Sequence, residues 1–275
     1  MGYNFTDILE FLHQNRGFNY SAYHMEMLER RITNRMINSR TNDPSAYYQL
    51  LTTDPCEPGR LIENFMINVS RFFRDPFSFE LLSKIILPDL IKAKQNRNDP
   101  ALRIWSAGCS YGEEAYSVAM LMNEYLACEK ISLHIDFFAT DFDAGVISKA
   151  RQGEYTAESI KEVRHGFFRD YFTGNDGVFT IRPSLKRMIR FSVYDLLDKH
   201  SYAPSESVFG DFDLLLCRNV LIYFNPEFQE LIFNKLHKSL APKGILMLGE
   251  TEAPVSPFRE KFRQVSKYCK IFEKK

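Results

Sequence analysis

The sequence predicts an α/β protein: an all-helical N-terminal domain over residues 1–69, then a doubly wound α/β domain over 70–275 with a small β-subdomain inserted at 153–188. Three observations predict it. The first is the stretch 102–119, LRIWSAGCSYGEEAYSVA, in which a short apolar run meets a turn of small residues, Ser106 to Gly112. Ala115, Val118, Ala119 and Met122 then recur at helical spacing. Strand, glycine turn and helix is how a doubly wound domain opens its nucleotide pocket, because glycines let backbone approach a ligand and the helix N-terminus offers free N–H donors. The second is that further short apolar runs alternate with helical stretches downstream, the pattern of a parallel sheet covered on both faces. The third is that residues 1–69 show helical periodicity alone.

Composition narrows the class. At 275 residues, 45% hydrophobic and 25% charged, the chain reads as an ordinary globular protein of one or two domains. Basic and acidic residues balance at 35 each, which disfavours a general nucleic-acid or anionic-membrane surface. No apolar run approaches the roughly 18 residues of a membrane span. The opening MGYNFTDILEFLHQ has neither the basic region nor the apolar run of a secretory leader. Five cysteines, Cys56, Cys109, Cys128, Cys217 and Cys269, are scattered, with no C-x-x-C pair and no Cys/His cluster. These features predict a cytoplasmic protein with reduced thiols, no metal site and no membrane insertion.

In chain order, Ile8, Leu9, Phe11 and Leu12 predict a first helix ended near Gly17. Ser21 is placed to cap a second helix running to about Ser39, with Met25, Leu28, Ile32 and Met36 on one face. Arg30, Arg31, Asn34 and Arg35 share the opposite arc, which is either a solvated face or a docking surface for an acidic partner. Pro44 and Pro58 punctuate two more short helices, the second over 60–69. Next comes Asn68-Val69-Ser70-Arg71-Phe72-Phe73-Arg74-Asp75. Its adjacent aromatics fit a core anchor, while Asn68 and Arg74 lie where polar groups would roof a pocket in the following domain. Residues 77–91 predict an amphipathic helix, and 95–100 a polar loop before the first strand.

The second strand is 135–140, ending at Asp141. An acidic residue there is placed to accept hydrogen bonds from both ribose hydroxyls of a nucleoside; helix capping is the alternative. Asp143 reads as the N-cap of the next helix. Within 153–188, the turn Gly174-Asn175-Asp176-Gly177 between β-prone runs predicts a small hairpin. The third strand is 189–193, with Asp195 just beyond it, and the fourth, 212–217, is continuously apolar like a central parallel strand. A helix over 226–240, a fifth strand at 245–248 and a closing strand or hairpin in 264–273 complete the domain.

Three readings compete for the turn at 108–112. A dinucleotide fingerprint needs G-x-G-x-x-G, and only Gly108 and Gly112 are present. A phosphate-binding loop needs a terminal G-K-[ST], which is absent. The turn does match the G-x-S-x-G nucleophile elbow of an α/β-hydrolase, with Ser110 as nucleophile. A hydrolase also requires a histidine on a loop after a late strand, whereas the last histidine, His237, falls inside the helix 226–240. Glu113 and Glu114, opening the helix, suit a positively charged ligand such as the ammonium and sulfonium of S-adenosylmethionine.

Five segments in order carry a family resemblance. They are Leu28-Glu29-Arg30-Arg31-Ile32, Asn68 to Arg74, Trp105 to Ser117, Ala139-Thr140-Asp141-Phe142-Asp143, and Cys217-Arg218-Asn219-Val220-Leu221-Ile222-Tyr223-Phe224. Together the chain resembles, over nearly its whole length, the CheR family of chemotaxis-receptor glutamate methyltransferases. The resemblance implies a Rossmann-like methyltransferase domain that moves a methyl group from S-adenosylmethionine to glutamates of chemoreceptors, leaving S-adenosylhomocysteine. It implies that Asn68, Ser70, Arg74, Gly108, Glu113, Asp141, Asp195, Leu196, Cys217, Arg218 and Asn219 line the cofactor site. Ser70 stands where the family commonly has Thr, and Asp195 where it commonly has Asn. Arg74 and Tyr223 are expected to orient the incoming carboxylate, and the arc of Arg30, Arg31 and Arg35 to face the acidic receptor. Some members tether to a receptor C-terminal pentapeptide through a longer glycine-containing hairpin loop; the short loop at 173–177 predicts a member that does not need the tether. Two other readings stay open: a hydrolase using Ser110, and a cofactor-binding receptor module without turnover.

Overall fold

A computed structural model describes residues 2–66, 70–97, 101–207 and 210–275. The chain divides into two compact units, Met1–Ile67 with Tyr223–Gln229, and Asn68–Ile222 with Glu230–Lys275.

The first unit is built from helices α1 (Phe5–Arg16), α2 (Met25–Asn38), α3 (Pro44–Thr53) and α4 (Glu57–Phe65). Asn4 caps α1 by accepting from Thr6 N and Asp7 N, while Asp7 accepts from Asn4 N in return. Gly17 ends α1 in left-handed backbone at φ 66°. Asp43 caps α3, and Pro44 fills its first turn, where a missing N–H costs nothing. The buried faces meet in one core that includes Ile8, Leu9, Leu12, Leu28, Ile32, Met36, Leu51, Leu61 and Phe65. Two sequence expectations fail here. Ser21 does not cap α2: a 3₁₀ turn over Tyr20–Ala22 intervenes, and the Ser21 carbonyl instead accepts from the Asn225 side chain at 2.9 Å. The fourth helix begins at Glu57, a turn earlier than residue 60, with Pro58 in its first turn.

The sequence also keeps Tyr223–Gln229 in the second domain, whereas it groups with the first unit. Its hydrogen bonds explain why. Asn225 N donates to Ala22 O at 2.9 Å, its side-chain amide also donates to Tyr23 O at 3.0 Å, and His24 N donates to Tyr223 O at 3.3 Å.

The second unit starts with α5 (Pro76–Leu81), which runs through a π-helical turn, Leu82–Ile86, into α6 (Leu87–Asn96). The sequence predicts one unbroken helix over 77–91. Pro88 carries no N–H, and the wider turn, in which Leu87 N donates to Leu82 O, takes the chain past it without a break. There follow β1 (Ala101–Ala107), α7 (Glu113–Glu129), β2 (His134–Asp141) and α8 (Ala144–Gln152). An inserted segment then contributes β3 (Glu154–Thr156), α9 (Ala157–Ile160), α10 (His165–Tyr171), β4 (Phe172–Asn175), β5 (Val178–Ile181) and α11 (Pro183–Lys186). The main fold resumes with β6 (Ile189–Val193), β7 (Phe212–Cys217), α12 (Pro226–Ser239), β8 (Leu240–Leu248), β9 (Phe262–Gln264) and β10 (Ile271–Lys274).

The main sheet has the order β6-β2-β1-β7-β8-β10-β9. The first five strands are parallel, and β10 runs antiparallel to both of its neighbours. Alternate residues face opposite layers. Ile104, Phe137, Leu214 and Leu216 join the core that includes α7, while Trp105 and Phe138 pack edge-on or tilted against Phe212, at ring separations of 5.4 and 5.9 Å. From β1 the chain builds outward through β2 to β6, then crosses back to β7 on the other side of β1. Ligands of open α/β sheets bind in the crevice at such a reversal, beyond the C-terminal ends of the two strands. The small sheet, β3-β5-β4, is antiparallel. Its β4–β5 turn is two residues long, with Asp176 at φ 55° and Gly177 at φ 86°, a pairing whose twist matches that of a hairpin.

Candidate active site

The turn after β1 is tight because three of its five residues take left-handed backbone: Gly108 at φ 77°, Ser110 at φ 51° and Gly112 at φ 91°. Gly108 N and Cys109 N both donate to Thr140 O, at 2.8 and 2.9 Å, binding the turn to the end of β2. A Cβ on Gly108 would stand 2.4 Å from Val220 Cγ2, so the loop after β7 closes the turn from the far side. Ser110 N donates to Asp141 Oδ2 at 2.9 Å and Asp143 N to Asp141 Oδ1 at 3.2 Å. Asp143, not Asp141, caps α8, accepting from Gly145 N and Val146 N. Asp141 thus steadies the turn and keeps unused lone pairs, and burial raises its pKa against the hydrogen bonds that lower it.

The two acids that open α7 are parted by their surroundings. Glu113 is 3% exposed, and its Oε2 finds no hydrogen-bond partner among the described residues. Burial pushes its pKa up to about 7, opposed by hydrogen bonds from its own backbone N–H and from Ser70. Glu114 instead accepts from Ser106 Oγ at 2.7 Å and from Arg218 Nη1 at 3.3 Å. It is therefore not the second half of a cation site, as the sequence reading has it. Nor does Arg218 present its charge to a ligand. Its side chain is 2% exposed, its Nη2 donates to Arg74 O at 2.9 Å and lies 3.6 Å from Asp75, and its guanidinium stacks 5.3 Å from the Phe79 ring. Arg218 is a brace between α7 and the segment before α5.

That segment is held in an unusual course. Phe73 and Asp75 are both left-handed, at φ 53° and 63°. Phe73 N donates to Ser117 Oγ at 3.0 Å, and Ser117 Oγ donates to Glu113 O at 2.6 Å. Phe72 lies edge-on to Tyr155 and Phe172, and Phe73 stacks on Phe167, so the aromatic pair is a core anchor of the inserted segment. Arg74, between these fixed points, is half-buried. Asn68 lies outside the described residues.

Two later loops complete the crevice. After β6, Tyr194 N donates to Asp141 O at 2.9 Å, Asp195 Oδ1 accepts from Leu197 N at 2.8 Å, and Leu196 is buried. Cys217, the last residue of β7, is fully buried, and beyond it Asn219 adopts φ 59°. The backbone N–H groups of Asn219, Val220 and Leu221, with that of Gly249, all donate to the buried carboxylate of Glu252, at 2.7–2.9 Å. Gly108, Ser110, Glu113 and Asp141 are thus brought to one turn, with the 194–196 loop attached to Asp141 and the 219–221 loop to Gly108. Tyr223 belongs to the first unit. Glu252 and the buried Lys235 have no signal in the sequence, since neither sits in a motif or on a periodic face that singles it out.

Chemically, the crevice offers two buried oxygens without a partner among the described residues, Glu113 Oε2 and Ser110 Oγ, beside a carboxylate at a strand end. These suit a nucleoside carrying a cation. They do not suit an elbow nucleophile: Ser110 Oγ has no hydrogen-bond partner among the described residues, and His237 packs against the rings of Phe258 and Phe262. Among the described residues there is also no cluster of acids, His or Cys able to hold a metal ion. Compared with known families, residues 4–66 match the CheR methyltransferase all-alpha domain and residues 68–271 the CheR methyltransferase SAM binding domain. The chain belongs to the CheR methyltransferase family. It is a methyltransferase dependent on S-adenosylmethionine. Chemotaxis protein methyltransferase of Listeria innocua is 31% identical over 88% of this chain and 86% of its own. Chemotaxis protein methyltransferase 1 of Pseudomonas aeruginosa is 35% identical over 70% of this chain and 69% of its own. An uncharacterized 104.1 kDa protein of Rhodobacter capsulatus is 36% identical over 90% of this chain, which spans only 25% of that protein.

The basic arc on α2 is less uniform than its spacing predicts. Arg30 is exposed, but Arg31 is half-buried, with an Nε that has no partner among the described residues. Arg35 turns inward: its Nε and Nη2 clamp the buried Glu57 at 2.7 and 2.6 Å, and Tyr47 OH donates to the same carboxylate at 2.8 Å. A carboxylate buried between helices requires such partners. Arg35 is a structural cation, which corrects its assignment to the docking arc. No helix among the described residues is long and apolar enough to cross a membrane.

Proposed function

We propose that this CheR methyltransferase acts in the cytoplasm on glutamate carboxylates in the signalling helices of chemoreceptors, giving glutamyl methyl esters and S-adenosylhomocysteine. The observation that carries the cofactor half of the proposal is the buried oxygen of Glu113 at the head of α7, without a partner among the described residues, beside Asp141 and the glycine turn. S-adenosylmethionine, when bound, supplies an electrophilic methyl group on a sulfonium sulfur. Glu113 holds its ammonium, Asp141 accepts from its ribose hydroxyls, and Gly108 lets the backbone approach. Ser110 Oγ, which also has no partner among the described residues, offers a further polar contact. Asp195 and Leu196 line the adenosine end, and Asn219 and Cys217 the neighbouring wall, by the family pattern.

The receptor half rests on the family resemblance and on the names of the chemotaxis methyltransferases above. No side chain has to act as a base, since a glutamate carboxylate, with an ordinary pKa of about 4.3, is already ionised at neutral pH. The chain's contribution is to position two opposite charges and exclude water, and effective concentration alone can supply roughly 7–11 kcal/mol. Arg74 orients the carboxylate; a full ion pair there would blunt the nucleophile, so a positioning contact is the better fit. For Tyr223 the same role rests on sequence alone. The two-residue turn at Asp176-Gly177 supports a member that does not need a receptor tail peptide; micromolar binding of such a pentapeptide refutes that part.

The test has two stages. Calorimetric titration with S-adenosylhomocysteine is expected to show micromolar binding that Asp141→Ala weakens. Labelled cofactor and a receptor signalling fragment are then expected to yield base-labile methyl groups, with Arg74→Ala and Tyr223→Phe cutting turnover while sparing cofactor affinity. No binding at millimolar ligand overturns the cofactor site; binding without ester formation on any receptor fragment overturns the substrate.

A further inference from the structure

Lys235, on α12, is a lysine almost wholly out of water, at 2% exposure. All three protons of its ammonium are engaged by one loop, the one that follows β6. Nζ donates to Tyr194 OH at 2.9 Å, to Asp198 O at 2.6 Å and to Asp195 O at 3.4 Å. It also lies 4.7 Å from the centre of the Tyr194 ring. No ion pair with a described residue offsets the desolvation: burial pulls the ammonium down to about 8 despite the pull of Asp198 and Asp195. A side chain of similar length without charge would fill the space at lower cost, since buried charges are often outdone by apolar residues of the same volume. What an apolar residue cannot do is fix the loop.

The loop needs fixing. Its internal bonds between 194 and 201 are short-range, among them Leu197 N to Asp195 Oδ1, His200 N to Asp198 Oδ1, and Ser201 Oγ to Asp198 Oδ2 and Tyr194 OH. Its tie to the crevice is Tyr194 N on Asp141 O. Lys235 gathers Tyr194, Asp195 and Asp198 around a single point, so the backbone flanking Leu196 has one course.

We propose that Lys235 is a positioning residue for cofactor binding, holding the Asp195–Leu196 stretch preformed at the adenosine end of the crevice. The inference rests on the reading that this stretch lines the cofactor site. A preformed loop does not have to be ordered when the ligand arrives, and that saving appears as affinity.

The experiment uses the full chain and the probe S-adenosylhomocysteine. Lys235→Met keeps the length of the side chain and removes all three donors. The expected result is at least a tenfold loss of affinity by calorimetry, with a melting temperature equal to or above that of the wild type. In turnover assays the KM for S-adenosylmethionine rises by more than kcat falls. A lysine that merely supports the fold gives the opposite pattern, a lower melting temperature with unchanged affinity, and that result overturns the proposal. If Lys235→Met does not fold, Tyr194→Phe removes one acceptor while keeping the ring edge-on to Trp105, 5.6 Å away, and unchanged affinity there overturns it as well. Wild-type protein that fails to bind the probe refutes the cofactor site itself. Wild-type binding, weakened by Asp141→Ala yet unaltered by Lys235→Met, refutes only the role of Lys235.

Discussion

With Glu113 on the ligand ammonium, as proposed, cofactor binding is a function of pH, and the burial of that carboxyl sets the sign. Its carboxyl titrates near 7 because it is buried, and its Oε2 has no partner among the described residues. A ligand ammonium binds the ionised form, so affinity rises with pH and levels off above 7. At pH 5.5 about 3% of the free protein carries the ionised carboxylate, and at pH 8 about 90%. Affinity for S-adenosylhomocysteine therefore falls about thirtyfold between pH 8 and 5.5, or about 2 kcal/mol at about 1.36 kcal/mol per unit. Stability of the free protein moves the other way. The folded value lies above the ordinary 4.5, so this group's contribution is present below that value and is lost as pH rises through about 7. The amount at stake is about 3 kcal/mol. Calorimetry and thermal melts from pH 5.5 to 8.5, on wild type and Glu113→Gln, read both slopes. The wild type should lose thermal stability with rising pH while its ligand-induced stabilisation grows, and the variant should show neither trend. Wild-type affinity that is flat over this range, or a variant with the same slope, refutes the assignment of Glu113 to the ammonium.

Other predictions concern the turn and the helical unit. Gly108→Ala puts a methyl 2.4 Å from Val220 Cγ2 at φ 77°, so about 1–3 kcal/mol of backbone strain is added; calorimetry should show at least tenfold weaker binding of S-adenosylhomocysteine, and unchanged binding removes the close approach as a requirement. Arg35→Ala leaves the buried Glu57 without its bidentate partner and should destabilise the chain by about 3 kcal/mol, read by urea unfolding; a loss below about 1 kcal/mol contradicts the structural role. Arg30→Glu, on the exposed side of α2, should slow methylation of an acidic receptor fragment and flatten its dependence on salt. An unaltered rate returns that surface to an ordinary solvated face.

The architecture was legible where local chemistry decides it. The run 212–217 is β7 without a shift, because a strand buried along its whole length has little reason to interrupt its apolar residues; 189–193 is β6 with the same bounds, though as the edge strand it leaves Arg190 and Val193 exposed. Gly17 ends α1 and Asp143 caps α8 as their residue types dictate. Glycine turn, strand-end Asp141 and helix-opening Glu113 also meet where a doubly wound fold brings them. What stayed hidden depends on partners distant in sequence. Arg35 looks like surface until Glu57, 22 residues on, is seen beneath it. Glu114 looks like the twin of Glu113 until Arg218, 104 residues away, claims it. Ser21 has the right side chain for a cap, but the bonds of the 223–229 segment to residues 21–24 hold that stretch in a 3₁₀ turn instead. Periodicity reports which face of an element is apolar; it carries no information on which polar residue will be paired.

The Glu252 carboxylate makes two loops into one moving part. Its oxygens take N–H groups from the loop after β7 and from Gly249 after β8, and Gly249 has no room for a side chain beside Asn219. Neither loop can shift by an ångström without breaking charge-assisted bonds on the other. Val220 reaches from this assembly to Gly108, so the displacement would be passed to the glycine turn of the proposed cofactor site. Sequence change is coupled in the same way. A substitution at Gly249 or Glu252, neither of which contributes to the glycine turn, is felt there through the shape of the wall behind it. Variation that tunes ligand affinity in this enzyme therefore need not occur among the residues that touch the ligand.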